Sequence, residues 1–170
     1  MSGTITLRRA TPADAEAIAV GVVDGVADYP AFAPDGWTGP AYEAELAHAR
    51  SDLTHEHVHC LVAERDGTLV GQVTVIPARR APNPVDDPGL GHLRNLFVAR
   101  SEWGSGLATR LHAAIVEAAE ELGYTELRLY VAEGQARARR FYEREGWRAA
   151  GAPYLDAGPG LRVIEYRRRV

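Results

Sequence analysis

Asn95-Leu96-Phe97-Val98-Ala99-Arg100-Ser101-Glu102-Trp103-Gly104-Ser105-Gly106-Leu107-Ala108 is the stretch on which the reading of this chain turns. Leu96-Phe97-Val98 is a short apolar run suited to an interior strand. Gly104 and Gly106 allow a sharp bend and a close approach of backbone to a ligand. From Leu107 onward, Leu111, Ala114, Ile115, Ala118 and Leu122 fall on one helical face. Strand, glycine turn and helix start together make an anion site, because free N–H groups and the positive end of the helix dipole point the same way. A phosphate or pyrophosphate suits a loop of this size. A Walker A loop needs Gly-Lys-Ser/Thr, and no lysine stands here. A Rossmann fingerprint needs a third glycine where Thr109 stands, and an acid after the next strand; Glu126 has the spacing but precedes that strand's apolar residues.

The composition narrows the rest. A chain of 170 residues suits a single domain spanning 1–170. The net charge of -4 argues against nucleic acid as main partner. One cysteine, Cys60, excludes an internal disulfide and points to a reducing, cytoplasmic setting. No apolar run approaches a membrane span, and the N-terminus lacks the basic and apolar regions of a signal peptide, so no membrane partner is expected.

In chain order, Ile5–Arg9 alternates as a first strand would. Thr11-Pro12-Ala13-Asp14 opens a helix expected to run from Pro12 to about Val26, with Thr11 as cap and Pro12 in the first turn. Asp28 to Pro40 mixes three prolines with Tyr29, Phe32 and Trp37, too interrupted for a long helix. It is either a connector with core-packed aromatics or a substrate-pocket wall. In the second case Asp24, Asp28 and Asp35 would attract a cationic amine. A second helix spans about Ala41 to Ser51. His55, His57 and His59 alternate, as on the exposed face of a strand entrance; no closing carboxylate is evident, so no metal is expected. Val58–Glu64 and Thr68–Ile76 read as a hairpin joined by Arg65-Asp66-Gly67, with Cys60 a small core residue. Pro77–Gly91 is a long irregular connection, either a loop over a cleft or a solvated linker, leading into the strand His92–Val98. Gly123 stops the motif helix. Glu126–Val131 is another strand, Gln135–Glu145 a basic amphipathic helix ended by Gly146, Trp147–Ala150 a short strand and Leu161–Arg167 the last one. No internal repeat or interdomain linker interrupts the chain.

Trp103-Gly104-Ser105-Gly106-Leu107-Ala108 resembles motif A of the GNAT acetyltransferase family, Arg/Gln-x-x-Gly-x-Gly/Ala. It matches at Gly106 and Ala108 and at the frequent extra glycine, Gly104; Trp103 stands where the family has Arg or Gln. Downstream, Gln135-Ala136-Arg137-Ala138-Arg139-Arg140-Phe141-Tyr142-Glu143 resembles the family's Asn-x-x-Ala-x-x-Phe-Tyr-Glu, followed by Gly146 and Trp147, with Gln135 in place of the asparagine. The two motifs lie in the family's order, and the element order agrees from first strand to last.

The resemblance implies an α/β (α+β) GNAT fold: a mixed, mostly antiparallel sheet of six to seven strands, splayed central parallel strands, and about four flanking helices. It implies an N-acetyltransferase moving the acetyl group of acetyl-CoA to a primary amine of a small-molecule acceptor by direct attack, with no metal. A peptide acceptor, or a silent acetyl-CoA-binding sensor, are the alternatives, and a homodimer is left open. The splayed strands would be His92–Val98 and Glu126–Val131. The expected cofactor contacts are Leu96, Phe97 and Val98, then Trp103, Gly104, Ser105, Gly106, Leu107 and Ala108, and across the cleft Gln135, Ala138 and Phe141. Tyr142 matches the family's tyrosine acid, which would protonate the leaving thiolate. His92, in register with a glutamate often found there, is the candidate base. Asp28, Tyr29, Phe32 and Asn95 are the expected acceptor contacts. His92 and Asn95 cannot share a face of a regular strand unless a bulge intervenes.

Overall fold

The computed structural model describes residues 3–170. Its strands are β1 (Thr6–Arg9), β2 (His59–Arg65), β3 (Thr68–Pro77), β4 (Leu90–Val98), β5 (Glu126–Ala132), β6 (Arg148–Ala149), β7 (Tyr154–Asp156) and β8 (Leu161–Arg169). They form one sheet in the order β1-β2-β3-β4-β5-β8-β6, with β7 also paired to β8. Every pairing is antiparallel except β4 with β5. The sheet has eight strands where six to seven were expected. The addition is β7, which has no alternation of its own. It exists because the Gly160 N–H bonds to the Asp156 carbonyl at 2.9 Å, folding Tyr154–Asp156 back along β8.

The helices are α1 (Ala15–Gly25), α2 (Tyr42–Asp52), α3 (Leu107–Glu121) and α4 (Ala136–Arg144). The expected first helix begins as a 3-10 turn over Pro12–Asp14. There the buried Asp14 carboxylate accepts the Thr11 N–H at 2.7 Å and both terminal nitrogens of Arg8 at 2.8 and 2.9 Å, and Arg8 holds it below the usual carboxylate range. The β2–β3 turn carries Asp66 and Gly67 at φ 51° and 79°, as a two-residue hairpin requires. The histidine expectation is corrected: β2 starts at His59, and the His55 Nδ1 accepts the His57 N–H at 3.2 Å within a turn.

Two apolar layers cover the sheet. On one face Leu107, Leu111 and Ile115 of α3 are almost fully buried against Val73, Val75, Leu93, Leu127 and Leu129. Each such side chain contributes ~1.5–3 kcal/mol by leaving water. Trp147 closes this layer, and its indole N–H donates to His112 Nε2 at 2.8 Å. On the other face Ile18, Ala19, Leu46 and Ala49 pack on Cys60 and Val62, so Cys60 is a core residue as read. No helix among the described residues is long and apolar enough to cross a membrane.

The central feature is a fork. β4 and β5 pair only from Leu90↔Glu126 to His92↔Arg128. Beyond that point β4 stays with β3, β5 stays with β8, and the two diverge. β4 also bulges: its register against β3 jumps from Arg94↔Thr74 to Phe97↔Gln72, with Asn95 at φ 58°. Asparagine tolerates this left-handed conformation better than most residues.

Candidate active site

The turn between β4 and α3 is held from beneath. Glu102 is buried and accepts two bonds from Arg65, both at 2.9 Å. The Ser105 hydroxyl donates to the Glu102 carbonyl at 2.6 Å and accepts the Leu107 N–H at 3.3 Å. Gly104 and Gly106 both sit at φ 82°, and a Cβ on either would meet nothing within 4 Å. Glycine is thus demanded by the backbone angle, while the outer side of the turn stays open. The N–H groups of Gly104, Gly106, Ala108 and Thr109 have no acceptor among the described residues, and the Arg110 N–H makes the first helical bond, to the Gly106 carbonyl at 3.1 Å. An open, pre-shaped row of donors at a helix start fits a pyrophosphate.

The fork places this turn on one lip of a cleft and the start of α4 on the other. Leu96, Phe97 and Val98 of β4 are half-buried along it; Leu96 and Val98 lean on the α3 layer, and Phe97 lies on the opposite side near Gly25. Gln135 is the N-cap of α4, and Ala138 and Phe141 pack inward from that helix.

Tyr142 is buried on the same side of α4, with its ring 5.3 Å from Phe141 and 5.8 Å from Trp147. Burial, and secondarily the nearby Tyr29, push its hydroxyl well above the ordinary tyrosine range. It therefore stays protonated and able to donate at neutral pH. Tyr29 lies in a separate apolar cluster at the end of β5, on the side where the acceptor contacts were expected.

That side is walled by Tyr29, Phe32 and Trp37, packed with Tyr130 on Ala132, Leu161 and Val163. Tyr29 lies 4.9 Å from the Phe32 ring and 5.8 Å from Trp37. The Trp37 indole N–H donates to the Pro159 carbonyl at 2.8 Å, tying this segment to the β7–β8 turn. Asp28 is exposed and pairs with Arg100 at 3.3 Å, so its charge is partly answered. Asn95 does not join the wall. The bulge turns it beside Arg94 into the crevice under Ile18, Val22 and Ala49.

His92 is corrected as a base. It is buried, and its Nδ1 accepts the Arg128 Nε–H at 3.2 Å. With Nδ1 so occupied, the neutral ring carries its proton on Nε2, and neither nitrogen keeps a free lone pair. Burial, followed by Arg128, Arg94 and Arg167, pushes its pKa down to about 3. Arg128 is itself almost fully buried, and its other donors go to the carbonyls of Asn83 at 2.9 Å and Pro82 at 3.0 Å. The proline-rich connection is therefore fastened at the root of the fork, not left as a solvated linker.

Sequence reasoning missed Arg128 and Gly134. A Cβ on Gly134 would lie 2.4 Å from Phe32 Cγ, so this glycine lets the aromatic wall close on the end of β5. Only an isolated glycine after a strand signals it. Among the described residues no group of three or more His, Cys, Asp or Glu is arranged to hold a metal ion.

The model of the Acetyltransferase (GNAT) family matches residues 26–147, from the end of α1 through the fork and both lips of the cleft to Trp147. The chain belongs to the GNAT acetyltransferase family. Among curated relatives, a mycothiol acetyltransferase of Sanguibacter keddieii is 32% identical over 130 residues, covering 76% of this chain and 40% of that protein. The chain spans about half or less of the length of the curated relatives it matches. Among solved structures, a ribosomal-protein-alanine N-acetyltransferase from Brucella melitensis superposes with TM-score 0.74 at 23% identity, covering 97% of this chain and 99% of that one. A Salmonella typhimurium protein solved with its cofactor acetyl-CoA gives TM-score 0.73 at 18% identity, covering 98% and 94%. These likenesses show the GNAT fold.

Proposed function

We propose that this GNAT protein transfers the acetyl group of acetyl-CoA to a primary amine of a small-molecule acceptor within a ternary complex. The observation that carries the reading is the fork: it opens beside an unpartnered row of turn amides, with a buried tyrosine on α4 and the aromatic cluster of Tyr29, Phe32 and Trp37 at the end of β5. The two sites share one sheet, which supports reading residues 1–170 as one domain.

Acetyl-CoA, when bound, supplies an acyl group activated as a thioester. The amides of Gly104, Gly106, Ala108 and Thr109 would hold its pyrophosphate, and the diverging edges of β4 and β5 would offer backbone groups to the pantetheine arm. Tyr142 would donate its hydroxyl proton to the departing sulfur as the amine nitrogen bonds to the carbonyl carbon and the C–S bond breaks, and would regain a proton through water. With His92 lacking a free lone pair, the ammonium proton leaves through water, so acceptor-limited turnover rises with pH until the amine itself is neutral. Gln135, Ala138 and Phe141 line the α4 lip. Tyr29 and Phe32 form the acceptor wall, with Asp28 at its rim, while Asn95 lies in a separate crevice and takes no part in it.

The Trp37–Pro159 tie across the acceptor side supports a compact acceptor over an extended peptide. The test is thiol release from acetyl-CoA over a panel of small amines, amino acids and peptide N-termini. Amine-dependent thiol with a small amine is expected. Activity with peptides alone would shift the acceptor class, and acetyl-CoA binding without turnover across the panel would reduce the protein to a sensor.

A further inference from the structure

Position 103 is where this chain leaves the motif, and the structure shows what stands there instead. The Trp103 indole N–H donates to the Val98 carbonyl at 3.1 Å, which fixes the ring at the end of β4. The guanidinium of Arg137 lies 3.7 Å from the ring centroid, and that of Arg100 lies 4.9 Å from it. Arg100 is answered by Asp28. Arg137 has no carboxylate within ion-pairing distance among the described residues. It comes from the first turn of α4, so its side chain reaches across the mouth of the fork to the glycine turn. That first turn contains no acid. A cation at a helix start, facing the start of a second helix, is placed against both dipoles. An anion between them reverses the sign of that interaction.

We propose that Arg137, held on the indole of Trp103, is a phosphate-binding residue of the cofactor site, supplying from α4 the charge that position 103 does not carry. The inference rests on acetyl-CoA being the cofactor. Stacking on a ring pinned by its own N–H limits the rotamers of an otherwise mobile arginine, and leaves the guanidinium edge free to donate to phosphate oxygens. Trp103 then acts as a platform, not as a contact to the phosphates.

The test is calorimetric titration of the full chain with CoA and with pantetheine, which lacks the phosphates. Arg137→Ala is expected to weaken CoA binding about tenfold to a hundredfold, the range for losing charge-assisted bonds, and to leave pantetheine binding within a factor of about two. Trp103→Ala should weaken CoA binding similarly, and the double variant should lose little more, because both changes remove one unit. Trp103→Arg in the Arg137→Ala background should restore much of the affinity. Arg137 is exposed, so Ala at this helical position keeps the fold, and a thermal melt checks it. Wild-type binding of CoA with Arg137→Ala equal to it, or tighter, overturns this role alone. Equal losses for CoA and pantetheine also overturn it. Failure of the wild type to bind CoA overturns both this role and the function on which it rests.

Discussion

His92→Asn separates a buried neutral imidazole from a catalytic base. In the folded chain His92 is pushed down to about 3 from an ordinary value of 6.5, first by burial and then by Arg128, Arg94 and Arg167. The folded value is the lower one, so as pH falls the unfolded chain takes up the proton first. Stability attributable to His92 is complete above 6.5 and is lost progressively from there down to about 3. A pH of about 5 lies roughly 1.5 units below the unfolded histidine's pKa, and each unit is worth ~1.4 kcal/mol, giving about 2 kcal/mol. That figure holds for any folded value well under 5. An asparagine amide oxygen replaces Nδ1 as acceptor for Arg128 without a titrating group. The assay is urea unfolding of both proteins at about pH 8 and about pH 5. The variant should be less stable at the higher pH, from lost packing, but should lose about 2 kcal/mol less on acidification. His112, also buried and lowered, and Asp14, lowered by Arg8, contribute equally to both proteins and cancel in the difference. Identical acid losses in wild type and variant would refute the neutral, Arg128-locked imidazole.

Tyr142→Phe should lower kcat by about a hundredfold or more, the lower range for a general acid, with little change in CoA affinity measured by calorimetry. Gly106→Ala forces an L side chain into φ 82° without any clash, so it should cost ~1–2 kcal/mol of stability by thermal melt and weaken CoA binding through the displaced turn. Gly134→Ala meets the Phe32 ring and should raise the acceptor KM several-fold while sparing CoA binding, an outcome read from bisubstrate kinetics.

The turn and the helices where donor contacts are expected were legible because their information is local. Gly104 and Gly106 announce a backbone angle, Leu111 and Ile115 announce a helix face, and Phe141-Tyr142-Glu143 lies within a single helix. What failed was non-local. Alternation assigned His92 to a strand face but could not report that Arg128, 36 residues away, would claim its lone pair. The bulge at Asn95 is a matter of register against β3, which no window along β4 encodes. β7 is held only by β8, and three residues carry no period of their own. The histidine triplet looked extended because spacing alone cannot tell a turn from a strand entrance. The aromatic cluster proposed as the acceptor wall was glimpsed through its residues, while the contacts that close it, Gly134 on Phe32 and Trp37 on Pro159, join segments more than ninety residues apart.

The Arg65–Glu102 pair, whose carboxylate is buried, has a thermodynamic consequence for recognition. It joins the β2–β3 hairpin to the glycine turn, and Ser105 braces the turn from within. The conformational entropy of that loop is surrendered when the chain folds, not when the nucleotide arrives. Association of the proposed cofactor with this turn then meets a preorganised surface, so little ordering opposes it and the rate of docking approaches that of a rigid encounter. A weakened Arg65–Glu102 pair would move that entropic toll from folding to binding, loosening the grip on the cofactor without removing a single atom that touches it.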